Sequence, residues 1–306
     1  MSFDEPPVTQ PDPLATSGLV VVDKPAGMTS HDVVGKLRRA FKTKRVGHAG
    51  TLDPMATGVL VVGIERGTRF LAHMVAATKA YSATIRLGAS TTTDDAEGDV
   101  ITRCSPAAIT QADIAAAVAD HTRDIMQRPA AVSAIKVAGK RAHERVRAGE
   151  TVELPERPVT VSRFDITNVV ASEEFIDVDV VVECSSGTYI RSLARDVGAQ
   201  LGVGGHLTAL RRLAVGNFTL ADALPLADIE ENPRLSLSLD AALVRCFPVL
   251  EVTASQALDL SMGKWLEPRG LRGVHAAVAP NGQAVALVKE SGSRLSTTFV
   301  ARPNTL

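Results

Sequence analysis

Strand segments of two kinds limit what this chain can fold into. Residues 18–22 (GLVVV) and 58–64 (GVLVVGI) are unbroken apolar runs, the pattern of strands covered on both faces. Lys79–Leu87 alternates instead: Tyr81, Ala83, Ile85 and Leu87 share one face, and Ser82, Thr84 and Arg86 the other. Residues 174–184 alternate in the same way, with Ile176, Val178, Val180 and Val182 inward and Asp177 and Asp179 outward. Residues 159–170 are also strand-like. Helical spacing falls between these strands. It covers roughly 31–41, with Ser30 as the expected N-cap and Val33, Val34, Leu37 and Phe41 on the apolar side. It recurs over 110–120 and over 186–201, through Ile190, Leu193, Ala194, Val197 and Leu201. Residues 207–213 read as a short helix or turn. Strands and helices mix without a βαβ rhythm, so the expected class is α+β, with a mixed, largely antiparallel sheet flanked by helices.

After Phe247 the pattern changes. Short apolar runs at 249–252, 274–279 and 283–288 alternate with Gly and Pro turns, as in a small β-rich unit. The first residues, MSFDEPPVTQPDPLATS, are acidic and Pro-rich and lack the basic start and apolar centre of a signal peptide. They read as a disordered tail. The expected division is a tail over 1–17, a large domain over 18–246 and a small one over 247–306. No apolar run approaches the roughly 18 residues of a membrane helix. Cys104, Cys184 and Cys246 stand far apart, with no C-x-x-C pair. Neither a disulfide framework nor a zinc site is expected, and the expected compartment is the reducing cytoplasm.

Net charge is −1, so overall charge does not single out a nucleic-acid binder. Its distribution says more. Between 24 and 50, Lys24, Lys36, Arg38, Arg39, Lys42, Lys44 and Arg45 face one acid, Asp32. Between 123 and 147, Arg123, Arg128, Lys136, Lys140, Arg141, Arg145 and Arg147 face Asp124 and Glu144. A neutral protein can present a basic face; two solvated helix faces would give the same pattern. Phosphate-binding loops, H-E-x-x-H and G-x-S-x-G are absent, and TTTDDAEGD lacks the order of a calcium loop. The Gly202-Val203-Gly204-Gly205 cluster reads as a helix stop. No nucleotide cofactor and no obligatory metal are expected, which leaves cofactor-free chemistry or binding alone.

The segment GHAGTLDPMATG (47–58) has no period and reads as an ordered loop between a basic helix and a buried strand. By itself, Asp53 in an Asp-Pro pair reads as a turn or cap residue that bonds its own backbone. The length of the loop, His48 beside it and the basic helix leading into it weigh toward function.

Five blocks follow one another in the chain: GLVVVDKPAGMTSHDVV, RVGHAGTLDPMATGVLVVGI, KAYSATIRLGASTTTDDAEG, SSGTYIRSLARDVG and GGHLTALRRLAVGNF. In these the chain resembles the TruB family of tRNA pseudouridine synthases, from about residue 18 to 225. The resemblance implies a pseudouridine-synthase fold with a small PUA-like RNA-binding domain at the C-terminus. It implies an intramolecular transferase that isomerises uridine 55 (RNA numbering) of the TΨC arm to pseudouridine, without a cofactor. It places the catalytic carboxylate on Asp53, its neighbouring cation on Arg191, and the base-stacking residue and late proton acceptor on Tyr81. Tyr189 and Leu210 match positions that hold the base. His48 matches the residue that enters the RNA where the flipped base leaves its stack.

Lys24, Lys36, Arg38, Arg39, Lys42, Lys44, Arg211 and Arg212 are candidate phosphate contacts. The expected partner is the tRNA TΨC stem-loop, bound by a monomer that needs no membrane and no obligatory protein partner. In QRPAAVSAIKVAGKRAHERVRAG the chain departs from the family, with Val132 and His143 at positions usually held by tyrosine. A guide-RNA-dependent relative, an RNA-binding protein without catalysis and a small-sugar glycosidase are the competing readings. The last lacks a second carboxylate with comparable support.

Overall fold

The structure, a computed structural model, describes residues 12–130, 136–137, 140–141 and 154–305, with only strand pairing for 136–137 and 140–141. Val132, Gly139, His143 and residues 1–11 of the expected tail lie outside the described residues, as do the side chains of Lys136, Lys140, Arg141, Arg145 and Arg147. In chain order the strands begin with β1 (Gly18–Lys24), β2 (Val46–Ala49), β3 (Thr57–Ile64) and β4 (Lys79–Leu87). A hairpin of β5 (Ala89–Thr91) and β6 (Val100–Arg103) follows, then β7 (Asp124–Gln127), β8 (Arg157–Ala171) and β9 (Ile176–Cys184), and finally β10 (Gly205–Val215) and β11 (Leu224–Pro225). The main sheet runs β11-β1-β3-β10-β4-β9-β8-β7, with β2 added to β3. The β1–β11 and β3–β10 pairs are parallel and the others antiparallel. The mixed, largely antiparallel α+β expectation is met.

The apolar patterns follow from what covers each strand. Val20 and Val22 of β1 and Leu60 and Val62 of β3 pack against Val33, Val34 and Leu37 of helix α1 (Ser30–Ala40). Leu19, Val21, Val59 and Val61 face the opposite way into a second core. Both faces are dry, hence the unbroken runs. The inward residues of β4 and β9 pack instead under α2 (Gln111–Asp120) and α3 (Ile190–Gln200), through Ile114, Val118, Leu193 and Val197. Their other face carries the paired charges Arg86 and Asp177, 2.7 Å apart.

Three local expectations are corrected. Residues 207–213 belong to β10, not to a helix or turn. Register shifts at Leu207/Ala209 and Arg212/Ala214 break its alternation, so Leu207, Leu210 and Leu213 fall at helix-like spacing. The N-cap of α1 is Thr29, whose side chain forms a capping box with Asp32. Residues 12–17 do not behave as a free tail: Leu14 is buried in the second core and Asp12 pairs with Arg302.

The C-terminal part holds α4 (Leu239–Cys246), β12 (Val249–Glu251), α5 (Ala254–Ser261), β13 (Val274–Val278), β14 (Ala284–Ser291) and β15 (Arg294–Val300), the strands in the order β12-β13-β14-β15. Ala276, Leu287 and Phe299 enter the same core as Leu19, Val21 and Val59. Arg66 donates from Nε to Ala301 O at 2.9 Å and from Nη2 to Val300 O at 2.6 Å. Among the described residues no helix is long and apolar enough to cross a membrane.

Candidate active site

Asp53 lies in the loop between β2 and β3. Three buried side chains fix that loop. The Ser30 hydroxyl donates to Leu52 O at 3.1 Å and accepts from Leu52 N at 2.8 Å. Lys24, fully buried, donates from Nζ to Pro25 O at 2.8 Å, Met28 O at 2.6 Å and Pro54 O at 3.3 Å. Burial pushes its ammonium pKa down to about 8, against the pull of Asp53. Arg212, also buried, donates from Nε to Val59 O at 2.7 Å and from Nη2 to Gly50 O at 2.9 Å.

Around this loop a guanidinium joins two carboxylates. Arg191, two residues into α3 from its N-cap Tyr189, places Nε 3.0 Å from Asp53 Oδ2. Its Nη1 lies 3.4 Å from Asp95 Oδ2 and donates to Thr93 O at 2.8 Å. Asp95 is held in turn by Thr93 Oγ1 at 2.5 Å and the amide of Glu97 at 3.0 Å. The side chains of Arg191 and Asp95 are 4% and 3% exposed, whereas Asp53 keeps 35%, so Asp53 is the member that faces outward. Protein surrounds the rest of its carboxylate. Desolvation raises its pKa above the ordinary Asp value; Arg191 opposes this and the negative charge of Asp95 reinforces it.

The remaining candidates sort by burial. Tyr81 is buried on β4, cross-strand from Arg212, and burial raises its phenol pKa while Arg212 opposes the rise. Leu210, buried on β10 opposite Ala83, shares one core with Leu52, Tyr81 and Ile190. Tyr189 is half-buried. Its amide donates to Gln127 Oε1 at 2.8 Å, its carbonyl accepts from Gln127 Nε2 at 3.1 Å, and the Arg157 guanidinium lies 4.9 Å from its ring centroid. His48 on β2 is half-buried, with Nδ1 buried and without a partner among the described residues. Burial, then Arg212 and His31, hold its pKa down, so it is neutral at pH 7.

The phosphate-contact expectation is corrected for Lys24 and Arg212, whose side chains are buried and whose donors are spent on backbone carbonyls. Arg211 is partly exposed and pairs with Asp23 at 3.0 and 2.7 Å. Lys36 pairs with Glu230 at 2.8 Å. Arg38, Arg39, Lys42, Lys44 and Arg45 are exposed around the end of α1. Sequence reading gave Asp95 no role beyond a failed calcium pattern. Its signal was the run of threonines, which satisfies a buried aspartate locally, inside a block shared with the family. Among the described residues no cluster of His, Cys, Asp and Glu gathers metal ligands.

This fold recurs in solved ribonucleoprotein structures. A chain of "Structure of H/ACA RNP bound to a substrate RNA containing 2'-deoxyuridine" superposes with a TM-score of 0.70 at 23% identity, over 95% of this chain and 86% of that one. A chain of a Cbf5-Nop10-Gar1 complex gives 0.71 at 24%, over 95% and 87%. Sequence narrows the class further. Residues 38–190 match the N-terminal domain of TruB family pseudouridylate synthase, 191–245 the tRNA pseudouridylate synthase B C-terminal domain, and 247–302 the C-terminal part of tRNA pseudouridine synthase II. The tRNA pseudouridine synthase B of Corynebacterium efficiens is 70% identical over 96% of this chain and 99% of its own length. That of Nocardia farcinica is 56% identical over 98% and 97%. The chain belongs to the TruB family of pseudouridylate synthases, which are isomerases.

Proposed function

We propose that the chain converts uridine 55 in the TΨC arm of tRNA to pseudouridine, with Asp53 as the catalytic carboxylate. The observation that carries this is the outward turn of Asp53 in an otherwise buried Asp–Arg–Asp bridge. Asp95 anchors the Arg191 guanidinium beside Asp53, where its positive charge favours the ionised carboxylate against desolvation in a site closed by substrate. The relatives' shared name supports tRNA as substrate.

The target base leaves the RNA stack at a cost of a few kcal/mol. Neutral His48, at the mouth of the loop, occupies the gap. Tyr81 and Leu210 bound the base. The bond from C1′ to N1 breaks, the base turns, and C1′ bonds to C5. The proton on C5 leaves to the Tyr81 oxygen and N1 takes one up, so the product is an isomer. Attack by Asp53 on the ring, attack on the sugar and a glycal route share one requirement, an ionised carboxylate at this point. The exposed bases around the end of α1, with Arg211, contact phosphates. Residues 18–246 form the catalytic domain, and 247–306 a PUA-like RNA-binding domain. The enzyme acts as a monomer in the cytoplasm, without a protein partner.

The test maps pseudouridine in transcribed tRNA after incubation with wild type and Asp53→Asn. The variant should form none while still binding tRNA. Wild-type turnover by Asp53→Asn would overturn the assignment of Asp53. A requirement for a guide RNA and partner proteins would overturn the stand-alone reading.

A further inference from the structure

Arg212 is 1% exposed and makes hydrogen bonds to neutral partners, the carbonyls of Val59 and Gly50, and it stands cross-strand from Tyr81. Its Nη1 stands 3.5 Å from Thr51 O. No carboxylate pairs with it among the described residues. A buried guanidinium without a counter-ion is costly, and so is ionisation of a buried phenol without a cation. Arg212 and Tyr81 face each other across adjacent strands, so ionisation of Tyr81 would relieve both costs at once.

We propose that Arg212 is a positioning residue for the isomerisation: its guanidinium is the counter-ion that lets the Tyr81 oxygen take the C5 proton. This rests on the reading of Tyr81 as proton acceptor. The phenol proton leaves to solvent as the phenolate forms beside Arg212. The phenolate oxygen then takes the proton from C5 of the newly C-linked base, the C–H electron pair returns to the ring, and N1 is protonated from solvent. Nothing is oxidised or reduced. The same side chain ties Gly50 and Val59, on either side of Asp53, to the strand opposite Tyr81, so acid and base sit on one frame. The packing at two glycines of the loop agrees. A Cβ on Gly50 would stand 3.3 Å from Arg212 Nη1, and one on Gly58 2.2 Å from Arg212 O.

Other titratable groups face this pair. Cys184 and Asp53 act on Tyr81, and Lys24, Lys79 and His48 lie on the sides of Arg212. The readout must therefore be specific to tyrosine. The chain has two tyrosines, so enzyme labelled with 13C at tyrosine Cζ gives two resonances. Tyr81→Phe assigns them.

Wild type, Arg212→Gln and Arg212→Lys are titrated and assayed in single turnover on tRNA carrying uridine or 5-deuterouridine. In Arg212→Gln the Tyr81 midpoint should rise by about one unit or more, turnover at neutral pH fall about tenfold or more, and the deuterium effect grow. The lost rate should partly return as pH rises. Arg212→Lys keeps a cation without the fork and should show smaller changes of the same kind; it decides the matter if Arg212→Gln does not fold. A folded variant with unchanged Tyr81 midpoint and unchanged deuterium effect overturns the proposal, even if its turnover falls. Wild-type turnover by Tyr81→Phe would instead overturn the reading of Tyr81 itself.

Discussion

Asp53 holds its proton more tightly in the folded chain than in the unfolded one. Between the two pKa values the folded state therefore binds more protons, and stability falls as pH rises through that window. Asp53→Asn removes the cost of the ionised form. It should melt no lower than wild type at about pH 8, and the gain should vanish near pH 3, below both pKa values; thermal melts at both pH values check this. The acid limb of kcat should lie above the ordinary Asp range. Asp95→Asn should move that limb down, because Asp95 raises the Asp53 pKa, while lowering kcat by about a hundredfold as Arg191 loses an anchor. A pH-rate series on both proteins measures each effect. The family resemblance singled out Asp53, Tyr81, Tyr189 and Arg191, and the structure brings Asp53 and Arg191 within 3.0 Å of each other. Lys24 and Arg212 misled, because a lysine or arginine in a basic stretch looks solvated until its burial and carbonyl partners are seen.

The loop between β2 and β3 depends on its clamps. Ser30→Ala would leave the buried amide and carbonyl of Leu52 short of partners, at a cost of about 1–3 kcal/mol, and loosen the residue next to Asp53. Gly58 has φ +98, and a Cβ there would meet the backbone of Arg212. Gly58→Ala should therefore cost about 3 kcal/mol or more, seen as a lower urea midpoint with unchanged slope. The long buried and alternating strands could be read directly, since their pattern reports how many faces are covered. The strand β10 could not. Its two bulges let the chain turn its side chains to serve both Tyr81 and the Asp53 loop, and so erased the period of two.

The C-terminal sheet shares a core with β1 and β3, and Arg302 bonds both Asp12, at 2.8 Å, and Asp240, at 2.5 Å. The molecule should unfold as one cooperative unit. Trp265, the only tryptophan of the chain, stands beside Leu266, which bridges to Leu295 in β15, and so reports on the C-terminal sheet. Urea transitions followed by Trp265 fluorescence and by far-UV circular dichroism should coincide. Arg302→Ala should lower stability by about 2 kcal/mol. Sequence foretold a small β-rich unit but not this attachment, because a core shared by Val21 and Leu287, far apart in the chain, has no local signature.

The main sheet is joined at its middle by two residue pairs, Arg211 with Thr57 and Arg212 with Gly58. On one side of that seam stands the strand pair that carries Asp53; on the other stand Tyr81, Asp95 and Arg191. A ribosome therefore finishes the Asp53 loop long before it makes β10, the strand that closes the seam. A nascent chain shorter than about 215 residues holds the Asp53 loop without β10 to clamp it. The candidate site is therefore completed late in synthesis, when the two half-sheets first meet.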